Sequence, residues 1–247
     1  MIEIFNFSAI PYYSFFLLIG YVLISKIIKN KLKKYNLLDE KETKCIIYIL
    51  EIITNPFILY KYAYVISLLY KPNMTINDIN NINTTTEILF LTIFTMFCFE
   101  MAYDKNINIG LLFHHIFSVI FTFICLLWIQ KFPILEIGKF TVHFGIYLIT
   151  ELPVFFLMLD YRLKFGFTKF IKYLIVVYYA LSRVGCGIFI FWLLSNIYSQ
   201  NTMQTDSIFW TYFSIITILN ISVLMCQAYV CNIYYCIIIK NNNALPS

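Results

Sequence analysis

Seven long apolar runs follow one another with short polar connections between them, over residues 9–28, 44–70, 87–103, 109–129, 134–159, 172–197 and 208–239. A helix needs about 20 residues to cross the roughly 30 Å hydrocarbon core of a bilayer, and each run falls near or above that length. A soluble domain has nowhere to put so much apolar surface. With 61% hydrophobic and only 13% charged residues, against about a quarter charged in an ordinary soluble domain, the chain reads as an all-α polytopic transmembrane helical bundle of about seven transmembrane helices. The last run exceeds one upright crossing and predicts a tilted helix or an exit along the interface.

The charged residues set a direction. Lys26, Lys29, Lys31, Lys33, Lys34, Lys41 and Lys44 crowd the first connection, and Arg162, Lys164, Lys169 and Lys172 the one after the fifth run. Basic loops stay in the cytosol, so the expected topology has the N-terminus luminal and the C-terminus cytosolic. Residues 1–43 then hold the first transmembrane helix and a basic cytosolic loop, 44–240 the main membrane domain, and 241–247 a short C-terminal tail. The net charge of +5 is accounted for by these loops, and no nucleic-acid module or basic face interleaved with aromatics is present. The first run lacks a basic leader and a small-residue cleavage site, so a retained span is expected. On the opposite side an Asn-rich loop over 73–86 is expected, with acceptor sequons at Asn73-Met74-Thr75 and Asn83-Thr84-Thr85.

Seven cysteines all lie in or beside apolar runs without a CxxC pair. They read as small buried hydrophobes, with no metal centre and no cofactor implied.

Polar groups inside the apolar runs are costly and need a reason. His114 and His115 stand side by side near the cytosolic end of the fourth run. Glu100 and Asp104 leave the third run at the same level, where simple solvation is the default for Asp104. Glu51, Glu151 and Asn232 each lie about two turns from a cytosolic boundary, and Arg183 lies deeper. His143, Tyr147 and Glu151, spaced four and four, predict a polar stripe down one continuous helix. Glu151 is costly as a lone anion, and Arg183, which keeps its charge, is its expected partner. For the pair, structural glue between two helices stands beside a catalytic role; for His143, a satisfied interior histidine is the ordinary reading. Glu51, Asn220, Gln227 and Asn232 are expected to hydrogen-bond between helices. Together these groups predict a lined cavity opening toward the cytosol.

Several of these residues fall in a recognisable order. Leu112-Phe113-His114-His115-Ile116-Phe117-Ser118 looks like an HHxx(S/T) signature; Thr150-Glu151-Leu152-Pro153, Leu181-Ser182-Arg183-Val184 and Cys231-Asn232-Ile233-Tyr234 follow on later runs. From about residue 44 to 240 the chain thereby resembles the TLC-domain family, the TRAM, LAG and CLN homology group. It is most similar to the small TLC domain-containing membrane proteins and more distantly to ceramide synthases. In the synthases the fifth-run motif reads His, Asp at the next position, Asp four on and Glu eight on. Here His143 and Glu151 match, while Phe144 and Tyr147 replace both aspartates, and no homeobox-like region precedes the domain.

The resemblance implies an endoplasmic-reticulum protein of lipid homeostasis, with membrane lipids as partners. In one reading the chain handles an acyl chain or sphingolipid in the cytosol-facing cavity, with Glu100, His143, Tyr147, Glu151, Arg183 and Asn232 lining or supporting it. In another it is an acyl-CoA-dependent sphingoid base N-acyltransferase, with His114 and His115 as its catalytic residues. A third, a cargo or translocation adaptor, finds no sorting motif in the tail. Whether the protein is an enzyme stays open at this level.

Overall fold

The computed structural model describes residues 10–107, 109–131, 135–143, 145–200 and 207–239; the C-terminal tail lies outside the described residues. All regular structure among them is helical. The helices are α1 (Ile10–Leu32), α2 (Asp39–Leu69), α3 (Ile76–Tyr103), α4 (Ile109–Lys131), α5 (Leu135–His143), α6 (Ile146–Ile149), α7 (Leu152–Leu163), α8 (Lys169–Gln200) and α9 (Ser207–Ile239), with one 3₁₀ turn over Lys33–Tyr35 after α1.

Five of them, α1, α2, α3, α8 and α9, are long and apolar enough to cross a membrane. The protein is therefore a helical, multi-pass membrane protein by length and composition. Its outer faces fit that setting, since Phe16, Tyr60, Phe123, Leu181, Ile188 and Met225 project outward with nothing to cover them. Helix α4 carries a shorter apolar stretch, Ile109–Cys125.

Two expectations from the sequence are corrected. The Asn-rich segment is mostly helix, because α3 begins at Ile76. Its start is fixed by a capping box: Thr75 Oγ1 accepts from the Asp78 amide at 3.2 Å, and Asp78 Oδ2 accepts from the Thr75 amide at 2.8 Å, an arrangement worth about 1 kcal/mol. Lys71 adds an ion pair to Asp78 at 2.8 Å. Asn73 is exposed ahead of the cap, whereas Asn83 sits half-buried within the helix.

The fifth run is not one continuous helix. It is divided into α5, α6 and α7, so His143, Tyr147 and Glu151 do not form a single stripe. Two residue types account for the division. Pro153 has no N–H and belongs in a first turn, which is where α7 places it. Gly145 packs so closely that a Cβ would stand 3.2 Å from the Val142 carbonyl oxygen and 3.5 Å from the Tyr62 ring.

The bundle has two packed halves. In the first, α1, α2 and α3 close around Tyr21, Cys45, Leu50, Ile58, Leu89 and Met96. In the second, α4, α5, α8 and α9 close around Phe121, Trp128, Phe140, Ile190, Phe209 and Val223. Helix α7 bridges them, packing on α2 and α8. The polar groups lie in the seam.

Candidate functional site

Five elements deliver ionisable side chains to that seam. Glu51 comes from α2, Glu100 from the last turn of α3, His114 and His115 from the second turn of α4, Glu151 from the residue that opens α7, and Arg183 from the middle of α8. Glu51, Glu100, both histidines and Arg183 are buried. All but Arg183 line one cavity of about 40 Å³, together with Tyr48, Phe155, Tyr179 and Tyr234.

The charges are organised in two pairs. His115 Nε2 stands 3.1 Å from Glu100 Oε2. Arg183 Nη2 stands 3.1 Å from Glu151 Oε1, as the sequence led one to expect. Arg183 Nη1 also donates to the Tyr147 carbonyl at 2.6 Å, and its guanidinium lies over the Tyr179 ring at 4.3 Å. Tyr179 in turn meets Tyr234 edge-on at 5.5 Å. Glu51 faces the same cavity as Glu100. The expectation that Asp104 is merely solvated is corrected: it is buried, as Glu100 is, and pairs with Lys44 at 3.6 Å. The α3 C-terminus folds against the start of α2 and removes them from water.

Consecutive helix positions lie about 100° apart, and the two imidazoles diverge accordingly. Their centroids are 5.5 Å apart, and Phe97 packs against both, 4.8 Å from His115 and 6.5 Å from His114. His114 Nδ1 is buried without a hydrogen-bond partner among the described residues. His114 and Glu151 also border a second, deeper cavity of about 20 Å³ with Ser118, Thr122, Tyr147 and Gln227. Gln227, expected to bond between helices, is fully buried with neither amide atom partnered, and Asn220 one turn pair earlier on α9 is the same. That expectation does not hold.

Two candidate residues stand apart from the pairs. His143 is held by two tyrosines of α2 and its C-terminus, with Tyr62 Oη 3.0 Å from Nδ1 and Tyr70 Oη 2.9 Å from Nε2. Both ring nitrogens are thereby satisfied, and the imidazole pins α5 to α2. Asn232 is exposed on α9, its Oδ1 3.9 Å from Cys236 Sγ. Reasoning from the sequence missed Tyr48, Tyr179 and Tyr234 as cavity walls, since 20 tyrosines spread along the chain give no single ring prominence.

Chemically, a buried imidazole oriented by a carboxylate is the arrangement of a general base or nucleophile. Three carboxyls, two imidazoles and one guanidinium thus meet at one chamber. Among the described residues no three His, Cys, Asp or Glu side chains are grouped to hold a metal ion. No family model, no curated protein and no solved structure matches the chain.

Proposed function

We propose that this is a seven-crossing membrane protein of the TLC-domain type, N-terminus luminal and C-terminus cytosolic, that handles lipid at the histidine chamber. The convergence of Glu51, Glu100, His114, His115, Glu151 and Arg183 from five elements carries the reading. Burying six ionisable groups together is costly in an apolar bundle, and structural pairing alone would need fewer. The order of the HHxx(S/T), Glu-x-Pro and Arg-bearing segments supports the family, and with it an endoplasmic-reticulum location. At about 40 Å³ the cavity admits only water-sized groups, so a lipid enters as the Tyr179 and Tyr234 rings swing aside.

The His115–Glu100 contact favours a second, catalytic reading: N-acylation of a sphingoid base by acyl-CoA. An imidazole accepts the amine proton as the C–N bond forms and the C–S bond of the thioester breaks, and the thiolate leaves with a proton returned by the same ring.

Purified protein in lipid, supplied with labelled acyl-CoA and sphinganine, separates the two. Ceramide formation that falls about 10²–10⁴-fold in Glu100→Gln and His115→Ala establishes the enzyme. Retained lipid without turnover, found by native mass spectrometry and lost in Glu151→Gln, establishes handling alone. Neither product nor retained lipid would end the reading.

A further inference from the structure

A third and much larger cavity, of about 480 Å³, lies at the basic end of the bundle, where α2, α7 and α8 meet. Its volume falls in the range of small-molecule sites. Lys41, Arg162, Lys164 and Lys172 line it against one carboxylate, Asp160. That carboxylate is already committed. Lys172 Nζ stands 2.7 Å from its Oδ2, and the Phe167 amide donates to its Oδ1 at 2.9 Å. Lys41, Arg162 and Lys164 have no carboxylate within 4 Å among the described residues.

The cations are held in place by backbone. Lys164 ends α7 in the left-handed region at φ 56°, with its amide donating to the Asp160 carbonyl at 2.7 Å. Gly166 follows at φ 93°, a conformation that favours glycine. Arg162 donates only a long 3.4 Å bond to the Met158 carbonyl, and its guanidinium lies 5.1 Å above the Tyr48 ring. Four cations share this pocket with a single carboxylate, and an anion among them offsets their mutual repulsion. A phosphate fits best, because its oxygens accept from a guanidinium fork and from ammonium groups at once.

We propose that this pocket binds a phosphate-bearing ligand at the membrane surface, independently of what the histidine chamber does. The phosphate belongs either to a phospholipid headgroup in the adjacent leaflet or to a soluble molecule. Both sources share the chemistry.

The test uses the full chain in neutral detergent, titrated with inorganic pyrophosphate, with dioctanoyl phosphatidic acid and with phosphate-free dioctanoylglycerol, binding being read as thermal stabilisation. Either phosphate probe stabilises the wild-type protein, and its apparent affinity falls about tenfold or more in the Lys41→Gln/Lys164→Gln double variant, both of whose sites are exposed. Stabilisation by phosphatidic acid alone assigns a lipid headgroup; equal stabilisation by pyrophosphate assigns a soluble phosphate. Salt supplies a second measurement that needs no variant, since binding weakens as NaCl rises from about 50 to about 500 mM. The proposal fails if neither phosphate probe binds, if dioctanoylglycerol stabilises equally, if the double variant binds as tightly as wild type, or if binding ignores salt.

Discussion

Arg183 neutralises Glu151 at 3.1 Å while bonding the Tyr147 carbonyl at 2.6 Å, so one side chain of α8 serves both a buried charge and a break in the backbone of its neighbour. Removing the guanidinium by Arg183→Leu leaves a carboxylate with no cation beside it. The expected loss is about 3–5 kcal/mol, read as a fall in unfolding temperature in detergent. Arg183→Leu combined with Glu151→Leu is expected to recover part of that loss; a double variant no better than the single one would show that the ion pair is not what the arginine supplies.

Gly145 has no room for a side chain. Its Cβ would press on the Val142 carbonyl oxygen and the Tyr62 ring, and Tyr62 is one of the two hydroxyls on His143. Gly145→Val is expected to cost about 1–3 kcal/mol. Tyr62→Phe, which removes only the hydrogen bond, is expected to cost about 1 kcal/mol. Comparing the two unfolding temperatures separates crowding from the lost bond.

Acid should loosen the junction of α7 and α8. Asp160 lies in the last turn of α7, past the apolar run. Burial alone would raise its pKa, but the Lys172 ammonium and the Phe167 amide outweigh burial and hold the carboxyl below its ordinary range. Its folded value is thus below the unfolded one, near 3.9, so its stabilising effect is complete above that value and is lost as pH falls through the folded value. Wild type and Asp160→Asn are expected to differ in unfolding temperature at pH 7 and to converge near pH 2. A gap that stays constant across that interval would dissociate stability from this carboxylate.

Orientation has a covalent readout. Asn73 is exposed ahead of the α3 cap, while Asn83 is held in the helix and Thr85 of its sequon is buried. With the proposed luminal placement of that end, a glycosidase-sensitive mass shift is expected in cells that glycosylate, abolished by Asn73→Gln and kept in Asn83→Gln. A glycan on Asn83 would mean that α3 begins later than Ile76.

The apolar runs and the Glu151–Arg183 pair were legible in the sequence, for a shared reason: both follow from how expensive each group is in lipid, which depends on residue type and position alone. The start of α3 was not read correctly because its first three turns are polar. The signal present there was local, Thr75 followed three residues later by Asp78, and it was outweighed by the Asn-rich composition around it. The division of the fifth run was missed because four-residue spacing presumes an unbroken helix: Pro153 was there to read, whereas the close approach of Gly145 to Tyr62, some 80 positions earlier in the chain, was not. Glu51 facing the same cavity as Glu100, and Tyr48 beneath Arg162, are likewise products of helix packing that spacing within one run does not encode.

The interrupted fifth run has a consequence for how the protein is made. The Tyr147 carbonyl accepts from Thr150 Oγ1 at 2.9 Å within its own segment and from Arg183 at 2.6 Å, 36 residues downstream, whereas the cation that pairs with Glu151 comes from α8 alone. When α5 to α7 emerge from the ribosome, that carbonyl already has its local donor, and what is still missing is the cation beside Glu151. Until α8 brings the arginine, Glu151 is a carboxylate without its partner, which couples the two segments energetically during synthesis.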